Sequence, residues 1–167
     1  MADFGRAAYK GHIPPHEELS IAGDPSYAPI ESLYGYVDTD WNRRRLGCDL
    51  YLLGSMTIFF FLGAGATALF QKELARHFHW RFWGGTFEEV LPYLQDAFQK
   101  VLERFEQNLP VPLKNELPDI VAQLCEPNPL LRGHIKNRTM ANKYSLERFI
   151  SKFNLLARRA ELGILNP

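Results

Sequence analysis

Apolar residues recur along this chain at helical spacing. From Thr86 onward, Phe87, Val90, Leu91, Leu94, Phe98, Val101, Leu102 and Phe105 fall three or four apart, so one stripe of a helix faces a core. Thr86 and Glu89 make the capping-box pair that starts it: the hydroxyl accepts from the N3 amide and the carboxylate accepts from the cap amide. Pro92 falls in the second turn, where it kinks or tightens the helix without ending it. A second stripe, Leu146, Phe149, Ile150, Phe153, Leu156, Ala157 and Ala160, predicts a last helix from about Ser145. Between them, "LPVPLKNELP" (109–118) reads as a Pro-rich connector, with Pro118 in the first turn of a short helix running to about Cys125. "EPNPLLRGH" (126–134) then turns the chain. Residues 1–30 carry Gly5, Gly11, Pro14, Pro15, Gly23, Pro25 and Pro29, too many breakers for a regular element. No segment alternates convincingly as a strand, and no repeat or low-complexity tail stands out. The pattern predicts a mostly α fold.

One run tests that pattern. "LYLLGSMTIFFFLGAGATALF", Leu50 to Phe70, holds no charged residue and is long enough to suggest a membrane span. Gly63 and Gly65 read as a stop after Leu62. What remains, Leu50 to Leu62, has the length of a buried core helix. Asp49, at its N-terminal edge, suits a helix start, where the dipole is positive. The expectation is a core helix and no membrane.

Composition removes several function classes. The 167 residues fit one domain able to bury a core. Nineteen Lys and Arg balance nineteen Asp and Glu, so the net charge gives no long-range field for nucleic acid or an anionic membrane. Arg43, Arg44 and Arg45 form the only dense basic run, read as a solvated helix start or a local ion pair. Cys48 and Cys125 sit in no CxxC or metal spacing and read as small core residues. The N-terminus lacks a basic region followed by an apolar run, so no signal peptide is read and a reducing, cytoplasmic setting is expected. His77 and His79 are two apart, which on a helix points them to different faces, and no third ligand is near in sequence. The group His79, Trp80, Phe82 and Trp83 reads as packing. Neither a Gly-x-Ser-x-Gly elbow nor a Gly-x-x-x-x-Gly-Lys loop occurs.

The order of the remaining motifs carries more information. Asp3-Phe4-Gly5 leads through a Gly/Pro-rich loop to "GDPSYAPIE" (23–31), then to "GCDLYLLGS" (47–55), and Arg132 follows in "EPNPLLRGH". In this order the chain resembles the C-terminal, helical lobe of a eukaryotic-type Ser/Thr protein kinase domain. The resemblance spans essentially the whole chain and is clearest between Gly23 and Gly54. It implies a single partial domain over 1–167. Residues 1–31 would be an activation-segment-like loop and 32–167 the helical core of the lobe.

The same resemblance implies roles. Asp3, with Phe4 and Gly5, would hold the Mg²⁺ that bridges ATP phosphates. Gly23, Asp24, Pro25 and Tyr27 match the loop that holds the substrate residue, with Asp24 where the family has Thr. Ile30 replaces a Pro. Glu31 and Arg132 match a buried ion pair that ties this segment to the helical core. Asp49 matches a helix-start carboxylate that accepts backbone N–H bonds from the catalytic loop. The family's Gly-rich loop, phosphate-gripping Lys and His-Arg-Asp catalytic loop do not occur in these residues, and no room for them exists before Asp3. The expectation is therefore a kinase portion that neither binds ATP well nor transfers phosphate by itself. Its partners would be a protein substrate or the rest of a kinase, with self-association through exposed apolar surface. A non-catalytic helical interaction module is the alternative.

Overall fold

The computed structural model describes residues 8–12, 21 and 23–165, and within them every regular element is helical. Seven α-helices follow one another: α1 (Ile30–Leu33), α2 (Trp41–Leu62), α3 (Ala66–Glu73), α4 (Phe87–Gln107), α5 (Val111–Lys114), α6 (Leu117–Leu124) and α7 (Glu147–Leu165). Two short 3₁₀ turns, Arg76–Phe78 and Ile135–Asn137, punctuate the connections. Helix α2 lies against α3 and α6, α4 covers α3 and α6, and α7 rests on α5.

Local chemistry explains most boundaries. The capping box at α4 is complete: Thr86 N–H donates to Glu89 Oε2 at 2.7 Å, and Glu89 N–H donates to Thr86 Oγ1 at 3.3 Å. Pro92 lies inside α4, which continues to Gln107. Leu117 and Pro118 open α6, where a missing N–H costs nothing. The connector before it is more regular than its prolines suggest, because Pro110–Pro112 start the single turn of α5. Gly63 ends α2 in the left-handed conformation at φ 68°, its N–H donating to Phe59 O at 2.8 Å, a position where any side chain would be strained.

Helix α2 departs most from the sequence reading. It has 22 residues, not thirteen, and starts at Trp41. Its cap is Asp40, which accepts from Arg43 N–H at 2.8 Å. Asp49 therefore stands in the third turn and not at the helix start. Five of the nine residues before Leu50 (Asn42, Arg43, Arg44, Arg45 and Asp49) are polar or charged and interrupt the apolar run, but the nine contain no breaker stronger than Gly47. Arg43 also pairs with Asp38 at 2.7 Å, which ties the first turn to the preceding loop. At this length α2 is apolar and long enough to cross a membrane by length and composition, so the argument from length against a span falls. Core helices of globular proteins pass the same test, and one flank of α2 is packed: Gly47, Leu50, Tyr51, Gly54, Ser55 and Ile58 are buried.

The core gathers Leu50, Tyr51 and Ile58 of α2 with Leu69 and Phe70 of α3, Leu94 and Phe105 of α4, Ile120 and Leu124 of α6, and Phe149 of α7. Phe70 stacks on Phe98 with ring centroids 5.1 Å apart. Each such side chain contributes about 1.5–3 kcal/mol by leaving water. Cys125 is buried in this core, Cys48 is half-buried, and both thiols are free. The domain boundary drawn at residue 31 falls inside α1.

Helices α2 and α6 approach closely at Gly54. A Cβ there would stand 2.5 Å from Cys125 Sγ and 2.8 Å from Leu124 Cβ, so α2 and α6 touch backbone to side chain. Gly54→Ala is expected to lower unfolding stability by about 1–3 kcal/mol, an overpacking cost read from urea denaturation. An unchanged midpoint would show that α6 can move away freely.

Candidate functional site

The segment 24–33 is built by short-range bonds. Asp24 Oδ1 accepts from Ser26 N–H at 2.8 Å, and Tyr27 N–H donates to Asp24 O at 3.1 Å, closing a turn through Pro25. Ser26's donated bonds hold the exposed Asp24 carboxyl below its usual range. Tyr27 is largely exposed, with its ring bordering Gly65. From Pro29 the chain enters α1, whose Glu31 is buried.

Two anchors fix this segment to the helices. The first is a polar relay: Thr67 of α3 donates to Ala28 O at 2.6 Å, and the Tyr51 hydroxyl of α2 lies 2.8 Å from Thr67 Oγ1. Ser55 supports it by accepting Ala66 N–H at 2.9 Å. The second is an ion pair. Arg132 Nη1 donates to Glu31 Oε1 and Nη2 to Oε2, both at 2.7 Å, a parallel two-bond contact between groups 101 residues apart. Arg132 is 0% exposed, and its Nε donates to Glu126 O at 3.0 Å. The guanidinium also lies over the Tyr51 ring at 4.9 Å. Burial pulls the guanidinium's pKa down, but the charge and hydrogen bonds of Glu31 outweigh it and leave the pKa raised.

Local structure delivers Arg132 to this point. Asn128 O accepts from the N–H groups of Leu131 and Arg132 at 3.0 and 3.2 Å, curling the chain after α6. Gly133 then takes φ 107°, and its N–H donates to Gln123 O at 2.8 Å. Only a residue tolerant of that conformation lets the guanidinium turn inward here.

Of the residues singled out from sequence, Glu31 and Arg132 are brought together. Gly23, Asp24, Pro25 and Tyr27 lie on one loop leading into that pair. Asp49 does not join them. It is exposed on α2, where surrounding protein bulk raises its carboxyl pKa against the opposing charge of Arg45. Asp3, Phe4 and Gly5 lie outside the described residues. Among the described residues no three His, Cys, Asp or Glu side chains gather where a metal ion could sit. His77 lies in the first 3₁₀ turn with its ring tilted against Phe78, while His79 stacks on Trp80, so both make ring contacts with their neighbours.

Sequence reasoning missed Tyr51, Thr67, Ser55 and the backbone acceptor of Glu126. Thr67 and Ser55 did carry a signal, as isolated hydroxyls within an apolar run that must find partners once buried. Cys48 lies beside the ion pair. Burial first, then the Glu31 charge, pushes its thiol up to about 11, so it stays protonated and unreactive near neutrality.

This geometry can hold a segment against a helical core. Removing one partner, as in Glu31→Gln or Arg132→Met, is expected to cost about 3–5 kcal/mol in urea unfolding, because a buried charge is left alone. The double variant Glu31→Leu/Arg132→Met should recover much of that loss. Additive losses in the double variant would show that the two groups are not coupled.

Compared with family models, curated proteins and solved structures, the chain matches none of them, so its functional reading rests on the residues just described.

Proposed function

We propose that this chain is the helical, substrate-side portion of a Ser/Thr protein kinase domain. The observation that carries the reading is the buried Glu31–Arg132 pair. It joins a loop of the sequence Gly-Asp-Pro-x-Tyr-Ala-Pro-x-Glu (23–31) to the connection that follows α6. In such a domain this loop would border the acceptor hydroxyl of a protein substrate, and the ion pair would hold it at fixed height over the core. Phosphoryl transfer from Mg·ATP needs a phosphate-binding Lys and a carboxylate that accepts the substrate's proton. Neither motif occurs in these 167 residues. On this reading the chain alone carries a positioning element and not the reaction.

The exposed side of α2 supports the same reading. Leu52, Met56, Phe59 and Phe60 follow at helical spacing, and Phe60 is 74% exposed. Phe59, at 46% exposed, and Phe60 carry large parts of their rings into water. A lobe that packs against further kinase structure would have such a face. A helical interaction module that uses the face directly is the second reading.

Two measurements separate these. Calorimetry of the purified chain with Mg·ATP is expected to give no micromolar binding, whereas such binding would overturn the claim that the chain is inactive alone. Translating about 150 codons upstream on the same strand, the length that would complete a kinase domain, should reveal a His-Arg-Asp motif and a strand Lys. Unrelated sequence there would defeat the kinase reading and leave the interaction module. In light scattering, the chain alone is expected to self-associate, and Met56→Ser/Phe60→Ser to shift it toward monomer. Monomeric behaviour of the unaltered chain would count against the apolar face as an interface.

A further inference from the structure

Charge is balanced over the whole chain but not along it. Residues 133–159 hold seven of the nineteen Lys and Arg and one of the nineteen Asp and Glu, Glu147. Twelve cations and eighteen acids are left for all other positions, so the stretch is net positive by six and the remainder net negative by six. A chain with no net charge thus carries a strong electrostatic asymmetry.

The fold gathers Lys136, Arg148 and Lys152 together, while Arg159 pairs with Glu116. The 3₁₀ turn Ile135–Asn137 lies against the start of α7, where Arg148 Nε donates to Asn137 Oδ1 at 2.8 Å. His134, edge-on to Phe149 at 5.5 Å, sits among Lys152, Arg148 and Lys136; burial first, then those charges, holds its imidazole below the usual range. Arg148, Lys152 and Leu155 follow at i, i+4 and i+7, so they share a flank of α7. Tyr144 packs over Gly47 and brings the first turns of α2 alongside, so that Lys143 faces Arg43 and Arg138, with Asp38 and Asp40 as the opposing charges.

Aliphatic side chains stand in water among the cations. Ile135 is 59% and Leu155 44% exposed, and Met140 is exposed as well. The aromatic rings of the stretch, Tyr144, Phe149 and Phe153, are buried or half-buried, so none is free to stack on a nucleic-acid base. A shallow open depression of about 420 Å³ lies between the turn and α7, lined by Met140, Ser145 and Arg148 as well as the lone acid Glu147. Cations interleaved with exposed aliphatic groups match the headgroup and upper acyl layer of a bilayer.

We propose that this face, formed by the Ile135–Asn137 turn and the Arg148/Lys152/Leu155 flank of α7, docks on an anionic lipid bilayer. The cations meet lipid phosphates, and Ile135, Met140 and Leu155 enter the headgroup boundary. The protein remains peripheral, and the contact does not depend on α2.

Co-sedimentation of the full chain with phosphatidylcholine vesicles, with and without phosphatidylglycerol, tests the proposal. The chain is expected to pellet with the phosphatidylglycerol vesicles at low salt and to be released as salt shortens the Debye length to about 3 Å, near 1 M. Lys136→Gln/Arg148→Gln/Lys152→Gln should weaken binding about a hundredfold, at about fivefold per cation lost, with the helical circular-dichroism signal retained. Ile135→Ser/Leu155→Ser should weaken it while keeping its salt dependence. Equal pelleting with both vesicle types would assign binding to an apolar face such as α2 and overturn the proposal. So would failure to bind either vesicle, unchanged binding by the triple variant, or binding to oligothymidylate without binding to vesicles.

Discussion

A guanidinium with no exposed surface stays charged inside a protein only if a carboxylate meets it in matched geometry and its other N–H groups find acceptors. Arg132 satisfies that condition through Glu31, Glu126 O and the face of Tyr51. The constraint propagates. Glu31 must sit in α1 facing inward, so the preceding turn at Asp24–Tyr27 is placed beside α3. Gly133 must take a positive φ, so the chain leaving α6 doubles back toward the start of α2. The apolar core could be repacked in several ways at modest cost, but this contact admits one register.

Legibility differed with the kind of physical signal. The α4 capping box and stripe could be read directly, because both cap partners and the apolar positions lie within a few turns. The α7 stripe and the α6 start were legible for the same reason. The start of α2 was not: the charged run Arg43–Arg45 and Asp49 break the apolar pattern, and the Asp40 cap, the Arg43–Asp38 pair and the packing of Gly47 under Tyr144 hold it helical. The single turns α1 and α5 are too short for periodicity to register. As for the site, the identities of Glu31 and Arg132 could be picked out from motif order, whereas the Thr67–Tyr51 relay could not. Its members are joined only once α2 and α3 are packed.

Helix α2 shows how one element can answer to two environments. Its buried flank narrows to a glycine at 54 so that α6 can approach, while its other flank carries bulky apolar groups into water. Core-facing residues alone would predict a polar outer side. The opposite arrangement, on a helix followed by a left-handed glycine stop, means that stability of the fold and solubility of its surface are set by different faces of one sequence run. Bulk composition conceals a similar division in charge, where a neutral total covers a basic C-terminal region and an acidic remainder.

The 101-residue separation of the two groups in the buried pair has a consequence for synthesis. At about 5–20 residues per second, roughly 5–20 s pass between emergence of the carboxylate and emergence of its counterpart from the ribosome. Throughout that interval α1 lacks its ionic anchor, and once Leu62 has emerged the apolar run of α2 is outside the exit tunnel without the segment that covers its packed flank. The nascent chain therefore passes through a long window in which the apolar surface of α2 is open to wrong contacts.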